Sequence, residues 1–215
     1  MFDEALRAEA RALIKGFDSE LQSQGFYLAG GSGLALQLGH RVSEDLDFFT
    51  VREFQAESLS HALETRPGYQ TVMQSAGTLY CLVSGVKVSF IRQQAPLVFP
   101  TIPFGETALA DWRDIVAGKF ETLAARGSRK DFYDLFAGLA PGRLSVGAAV
   151  DLLKRRFGPA QPNYYHILKS LTYFDDAEAE PESALLKPVA WADVKGFFVR
   201  NVREFERVLL KEGAG

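Results

Sequence analysis

The sequence has little of several residues and patterns that mark particular classes of protein. Its 215 residues include one cysteine, Cys81, so the chain lacks an intramolecular disulfide and the disulfide framework of a small secreted domain. His61 and His166 do not lie at the spacing of a zinc site. No apolar run approaches the ~20 residues of a membrane span, and the acids from residue 3 onward exclude a signal peptide. We therefore expect a cytoplasmic protein with no membrane partner.

An excess of charge of one sign is also missing. The chain has 24 Lys and Arg against 27 Asp and Glu, a formal net charge of -3. This balance argues against binding of nucleic acid through overall charge, and it leaves room for a local basic patch. What the sequence does have is apolar residues, 47% of the total with 17 Phe, which is ordinary for a well-packed globular protein.

The pattern of apolar residues divides the chain into two halves. The first contains a helix over residues 2–21 and several short strands, at residues 26–29, 45–50, 69–74, 78–84 and 86–92. Three prolines in residues 93–105 indicate a connector, and helical periodicity follows it, interrupted by an acidic loop at residues 175–180. The pattern predicts an α+β fold: a small mixed β-sheet core with flanking helices in residues 1–105, then a helical domain in residues 106–215.

Two alternating carboxylates follow closely on a glycine-serine turn in the stretch LAGGSGLALQLGHRVSEDLDFFT, residues 28–50. Side chains alternate along a strand, so Asp45 and Asp47 share one face. Two carboxylates this close repel each other unless a cation lies between them. Mg²⁺ is held in proteins by one or two carboxylates plus phosphate oxygens. The spacing therefore favours a metal site at Asp45 and Asp47.

The glycine-serine turn precedes a short helix, predicted over residues 34–38. The unbonded N–H groups and the dipole at a helix N-terminus favour a phosphate. Gly31 lets the backbone approach a ligand closely, and the Ser32 hydroxyl can donate to a phosphate oxygen. Each feature alone is more often structural, as a tight turn, an N-cap or a solvated strand end. Together they predict a nucleoside triphosphate site, whereas the dinucleotide fingerprint fails because Leu36 stands at its last small-residue position.

The order Gly31-Ser32, twelve residues, Asp45-Leu-Asp47 resembles the G-S-x(n)-D-x-D signature of the DNA polymerase β-like nucleotidyltransferase superfamily. The text around it is similar to the AbiEii/AbiGii-type toxin family of bacterial type IV toxin–antitoxin systems. So is a second block, DIVAGKFETLAARGSRKDFYDL, at residues 114–135. The resemblance implies Mg²⁺- or Mn²⁺-dependent transfer of a nucleoside monophosphate from an NTP to an acceptor hydroxyl. It also implies tRNA or another RNA as acceptor and a cognate antitoxin as protein partner.

The second block contains a lysine in an unusual position. Lys119 falls within an apolar helical arc formed by Ile115, Val116, Phe120 and Leu123. Such a lysine either extends past its neighbours to water or pairs with a phosphate or a carboxylate. Asp131, judged from the residues alone, is a first-turn acid of the next helix.

The resemblance assigns roles to these residues. Asp45, Asp47, Lys119 and Asp131 are implied to be catalytic. Asp45 and Asp47 are implied to bind the metal, and Gly31, Ser32 and Lys119 the nucleotide.

One position departs from the superfamily pattern. A third carboxylate usually comes from a later central strand, and Ser89 stands at the corresponding position of this chain. Serine lacks the charge that a second metal or a general base would use. Two alternatives to an RNA-modifying enzyme therefore stay open. One is nucleotidylation of a protein hydroxyl with the same apparatus, and the other is a catalytically degenerate nucleotide- or partner-binding module.

Overall fold

The computed structural model describes residues 1–17, 21 and 24–211. The chain forms two compact units, Met1–Asp111 and Trp112–Gly215. The first contains a mixed sheet with flanking helices, and the described residues of the second are helical apart from turns and loops, so the predicted α+β fold is confirmed. Within the described residues, no helix is both long and apolar enough to cross a membrane.

The first unit is built on a seven-stranded sheet in the described part of the chain. Its helices, after a 3-10 turn at Asp3–Ala5, are α1 (Ala8–Lys15), α2 (Gly30–Leu38) and α3 (Ala56–Leu63). Its strands are β1 (Tyr27–Leu28), β2 (Leu46–Thr50), β3 (Gln70–Ser75), β4 (Thr78–Val83), β5 (Val86–Arg92), β6 (Ile102–Phe104) and β7 (Thr107–Leu109).

The order of the sheet is β3-β4-β5-β2-β1-β7-β6. The strand β2 lies between β5, to which it runs parallel, and β1, to which it runs antiparallel. The strand β7 pairs parallel to β1, and the remaining pairs are antiparallel. The two-residue β1 and the five-residue β2 therefore lie near the middle of the sheet. The glycine turn follows β1, and the acid pair lies at the start of β2.

One face of this sheet forms the core of the first unit. Alternate residues of each central strand are buried in it, including Leu46 and Phe48 of β2, Val88 and Phe90 of β5, and Leu79 and Cys81 of β4. The ring of Phe48 lies 5.2 Å from that of Phe17 and 5.4 Å from that of Phe90. The intervening residues of the same strands point to the opposite face. Asp47, Ser89 and Tyr80 are among them.

The second unit contains the remaining α-helices of the described chain: α4 (Trp112–Arg126), α5 (Arg129–Gly138), α6 (Val146–Phe157), α7 (Tyr164–Ser170), α8 (Asp175–Ala179) and α9 (Trp191–Leu210). Its core contains Phe120, Phe132, Phe198 and Phe205, all fully buried. Ring centroids of Phe132 and Phe198 lie 5.3 Å apart, and those of Phe120 and Phe205 lie 6.2 Å apart. Helix α4 contacts α5, α6 and α7, and α9 packs on α6 and α7.

Several predicted elements differ from the structure. The first helix spans Ala8–Lys15 and is preceded by a 3-10 turn, and residues 18–20 of the predicted helix lie outside the described residues. Strands β6 and β7 occupy residues predicted as connector or helix. The segment predicted as an acidic loop contains α8, because Ala177 is fully buried and anchors one helical turn.

Candidate active site

A glycine with a left-handed backbone begins helix α2. Gly30 has φ +57, and a Cβ at this position would collide with the carboxylate of Asp47. Only glycine adopts this φ without strain and leaves that space open. The helix thus starts four residues earlier than the sequence predicted, at Gly30, because the glycines form its first turn. Gly31, predicted for close backbone approach, is covered by the guanidinium of Arg41, with which a Cβ would also collide.

The first turn of α2 presents backbone donors. The Gly33 N–H donates to the Ala29 carbonyl oxygen at 2.7 Å, which is the first turn of regular helical bonding. The N–H groups of Gly30, Gly31 and Ser32 come before it and have no helical carbonyl to bond. Such donors, together with the helix dipole, suit the oxygens of a phosphate.

Ser32 connects this turn to the acid pair. Its side chain is fully buried, and its hydroxyl donates a hydrogen bond to the main-chain oxygen of Asp45. The predicted hydrogen bond from this hydroxyl to a phosphate stays a prediction. In the structure, the hydroxyl holds the residue that precedes β2 against the start of α2.

Asp45 and Asp47 lie at the start of β2, on the face opposite the core. Asp45 directly precedes the strand and Asp47 is its second residue, and both are partly buried. The Ala29 N–H donates to the Asp47 carbonyl oxygen at 2.9 Å, which fixes the end of β1 beside it. The arrangement brings two carboxylates and a helix N-terminus to one place in the first unit.

Ser89 pairs directly with Asp47 in the β2–β5 register. It is 6% exposed, and its hydroxyl donates to Oδ1 of Asp47 at 2.5 Å. A neutral donor therefore stands where a third carboxylate would bring a further negative charge. In the described residues, no cluster of three or more His, Cys, Asp or Glu is placed to hold a metal ion. Two carboxylates beside the N-terminus of α2 nevertheless match the donor set of Mg²⁺, which takes its other ligands from substrate phosphates and water.

Arg41 adds a buried cation beside the glycine turn. Its side chain is 3% exposed, and its Nη1 donates to the Val42 carbonyl oxygen at 3.1 Å. The loop that carries it is fixed by main-chain pairing, since the Ser43 N–H donates to the Ala5 carbonyl oxygen at 2.8 Å. A guanidinium held over Gly31 favours an anion at the start of α2. The predictions did not include Arg41 or Gly30 in the site; the doubled glycine was the available signal for Gly30.

In the second unit, Lys119 is part of a buried ionic cluster. Its Nζ lies 2.8 Å from Oδ1 of Asp131 and 2.6 Å from Oδ2 of Asp134, and both aspartates are fully buried. The sequence left open whether Lys119 reaches water or pairs with a phosphate or a carboxylate, and in the structure it pairs with two carboxylates. Asp134 was not predicted, although it lies one helical turn after Asp131.

Arg126 completes this cluster by donating two hydrogen bonds to the Asp131 carboxylate, from Nε at 2.7 Å and from Nη2 at 3.0 Å. Burial by itself would raise the pKa of Asp131, but the charge of Lys119 and the hydrogen bond and charge of Arg126 outweigh it. The pKa of Asp131 therefore lies below its ordinary value. Two cations and two carboxylates offset each other, so the cluster joins α4 to α5 as a neutral unit.

Comparisons with known proteins identify the family and the fold. The family model described as nucleotidyl transferase AbiEii toxin, type IV toxin–antitoxin system, matches residues 11–73, which include the glycine turn and the acid pair. The uncharacterised protein aq_aa25 of Aquifex aeolicus is 33% identical over 204 residues, or 93% of this chain and 97% of its own. MenT4, a nucleotidyltransferase toxin from Mycobacterium tuberculosis, shares the fold. It has a TM-score of 0.59 at 20% identity, over 97% of this chain and 87% of its own. The chain belongs to the AbiEii nucleotidyltransferase toxin family.

Proposed function

We propose that the protein transfers a nucleoside monophosphate from an NTP to an acceptor hydroxyl on RNA, with tRNA as the leading acceptor. The observation that carries this proposal is the connection between the start of α2 and the acid pair. Asp47 packs on Gly30, and the Ser32 hydroxyl bonds the main chain of Asp45. A phosphate cradle and two carboxylates are thereby held in one rigid arrangement, which nucleotidyl transfer requires.

Asp45 and Asp47 are the residues that would hold Mg²⁺ or Mn²⁺. A divalent cation bound there supplies neutralisation of phosphate charge and activation of the acceptor hydroxyl. The backbone N–H groups of Gly31 and Ser32 bind the β- and γ-phosphates, and the nearby Arg41 guanidinium offsets their charge. Ser89 keeps the Asp47 carboxylate in one orientation through its hydrogen bond.

Lys119 and Asp131 enter the proposal with two roles. The family resemblance supports a catalytic and nucleotide-binding role for Lys119 and a catalytic role for Asp131. The structure supports a structural role, because the Lys119 ammonium already pairs with two carboxylates. A phosphate contact by Lys119 requires a phosphate oxygen to replace or join one of these partners. Asp131 would meanwhile remain held by Arg126.

The toxin family supports a cellular consequence for this chemistry. Modification of tRNA would inhibit growth, and a cognate antitoxin protein would relieve the inhibition. The proposed place of action is the cytoplasm, where NTPs and tRNA are both present.

Ser89 favours a second candidate function, a nucleotide- or partner-binding module without transfer activity. Replacement of an acid by a serine lowers the negative charge that two-metal chemistry uses. Against this alternative, the chain keeps the repelling pair of Asp45 and Asp47 packed beside the glycine turn at the start of α2. A third candidate, nucleotidylation of a protein, uses the same residues and differs only in the acceptor.

Incubation of the full chain with each labelled NTP, Mg²⁺ and total RNA tests the proposal. We expect label on RNA, and we expect Asp45→Asn to reduce it at least 100-fold while the circular dichroism spectrum stays unchanged, because a partly exposed acid contributes little to stability. Label on protein instead would establish the third candidate. Absence of any label, with NTP binding retained, would establish the binding module.

A further inference from the structure

Three residues form a row across neighbouring strands on the face that carries the acid pair. Asp47 of β2 pairs with Ser89 of β5, and Ser89 pairs with Tyr80 of β4. Their neighbours Phe48, Phe90 and Leu79 are all in the core, so the row lies on the opposite face. The Ser89–Asp47 hydrogen bond confirms that these two side chains share that face. With ~4.8 Å between neighbouring strands, Tyr80 stands about 10 Å from Asp47.

The end of this row is open to solvent. Tyr80 is 37% exposed, and Met73, its partner on β3, is 45% exposed. Lys87 of β5 is exposed on the same face, and it makes no ion pair with the described residues. Lys87 precedes Ser89 by two residues, or about 6.6 Å along the strand. We call the surface formed by Met73, Tyr80 and Lys87 the β4–β5 ledge.

The order of the sheet gives the ledge a position relative to the reaction. On one side of β2 lies β1, which leads directly into the phosphate-binding start of α2. On the other side lie β5, β4 and β3, which carry the ledge. In phosphoryl and nucleotidyl transfer the attacking and leaving oxygens are roughly in line. If the leaving phosphates occupy the β1 side of the acid pair, the acceptor hydroxyl approaches from the β5 side.

The chemistry of the ledge suits a nucleotide. An exposed aromatic ring stacks on an unpaired base, and a lysine without an ion-pair partner attracts a phosphodiester. The ledge residues themselves, Met73, Tyr80 and Lys87, include no acidic side chain that would pair with the cations of a polypeptide acceptor. The combination of ring, thioether and cation beside the acid pair therefore favours single-stranded RNA over protein.

We propose that Tyr80 and Lys87 bind the nucleotide that carries the acceptor hydroxyl, Tyr80 by stacking on its base and Lys87 by contacting its phosphate. The proposal deepens the proposed function and rests on it for the identity of the reaction. Binding of RNA at the ledge is a separate property, which can be measured without any transfer.

The test measures two dissociation constants on the full chain, for a fluorescent single-stranded RNA and for an NTP with Mg²⁺. Tyr80→Ala should weaken RNA binding about 10- to 100-fold, the effect of removing one stacking ring, and leave NTP binding unchanged. Tyr80→Phe keeps the ring and should bind RNA like the wild type. Lys87→Ala should weaken RNA binding and reduce its dependence on salt. Tyr165→Ala removes a tyrosine that is 57% exposed on α7 and should change neither constant.

The remaining outcomes separate failure of this proposal from failure of the proposed function. Equal weakening of NTP binding by Tyr80→Ala would assign the ledge to the donor nucleotide. Unchanged RNA binding would remove the ledge from the site, whether RNA or a protein proves to be the acceptor. If the wild-type chain labels itself in the NTP assay and Tyr80→Phe does not, the acceptor is the Tyr80 hydroxyl. If the wild type transfers nothing but binds RNA through Tyr80, the ledge stands and the proposed function fails.

Discussion

Gly30 determines how closely the start of α2 approaches Asp47. Replacement by alanine introduces a Cβ at φ +57, where L-residues are strained, and places it in the space of the Asp47 carboxylate. We expect Gly30→Ala to lower the free energy of unfolding by about 2–4 kcal/mol and to abolish transfer. Urea denaturation and the labelled-NTP assay measure the two effects.

The chain offers a matched control for this substitution. Gly105 has φ +58, and a Cβ there would meet no atom within 4 Å. Gly105→Ala should therefore show the backbone strain, about 1–2 kcal/mol, without the loss of transfer. Equal stability and activity in the two variants would contradict the proposed contact between Gly30 and Asp47.

Ser89 is the residue at which added charge should reveal the metal. In Ser89→Asp the new carboxylate faces Asp47 directly across the parallel register, so the two repel in the absence of a divalent cation. We expect a lower melting temperature without Mg²⁺, its recovery with Mg²⁺, and increased transfer. Ser89→Asn, which is neutral, should show a smaller Mg²⁺-dependent rise in melting temperature, because only Asp45 and Asp47 then supply carboxylates. A melting temperature of Ser89→Asp that is indifferent to Mg²⁺ would argue against a metal site at Asp45 and Asp47.

Sequence spacing predicted some residues of the site and missed others for physical reasons. The shared face of Asp45 and Asp47 follows from period-two alternation, which a strand imposes whatever surrounds it, whereas Ser89 was identified through the family resemblance. Arg41 and Asp134 depend on how separate elements pack, because one lies in an irregular loop and the other is buried against a neighbouring helix. A pattern within one element does not contain that information.

At the scale of secondary-structure elements, the ionic cluster of Lys119, Arg126, Asp131 and Asp134 fixes α4 against α5. The pKa of Asp131 is lowered, so its stabilising contribution is complete above its unfolded pKa of about 4 and is lost as the pH falls through the lower folded value. Asp131→Asn should be less stable than the wild type at pH 7, by about 1–3 kcal/mol, because Arg126 and the buried Lys119 both lose a charged hydrogen-bond partner while Lys119 keeps Asp134.

The same variant should lose less additional stability than the wild type when the pH falls from 5 to 3. Urea denaturation at pH 7, 5 and 3 measures both effects. Asp151→Asn, at an exposed position of α6, serves as the control and should follow the wild-type acid response. If Asp131→Asn also follows that response, Asp131 does not carry the acid sensitivity.

The helices and strands differ in how much of them the sequence predicts. The helical character of the second unit, which contains α4 to α7 and α9, was predicted from the sequence because an amphipathic repeat over several turns is a strong local signal. Strands β6 and β7 have three residues each, and Pro103 lies in β6, where proline normally argues against a strand. The edge position of β6 resolves this, since an edge strand does not need every N–H in its ladder. Edge position is a property of the assembled sheet.

At the scale of the whole molecule, each compact unit has a core of its own. The apolar core around Phe48 and Phe90 contains only residues of the first unit, whereas the rings of Phe120, Phe132, Phe198 and Phe205 belong to the second. The glycine turn, the acid pair and the ledge all lie in the first unit. A ligand that binds there stabilises that unit by mass action, by about 2.7 kcal/mol at a concentration 100 times its dissociation constant.

The positions of two rare residue types give each unit an intrinsic optical or chemical reporter. Cys81, the single cysteine, is buried in the first unit, and burial raises the pKa of its thiol to about 11, so it reacts with a thiol reagent only when that unit opens. Both tryptophans, Trp112 and Trp191, lie in the second unit, so fluorescence follows that unit. We expect NTP with Mg²⁺ to raise the urea midpoint of Cys81 labelling in the wild type and to leave it unchanged in Asp45→Asn. If Lys119 contacts the nucleotide, NTP with Mg²⁺ should also raise the urea midpoint measured by fluorescence, and Lys119→Met should lose that rise. If the fluorescence midpoint of the wild type does not change, Lys119 has only its structural role.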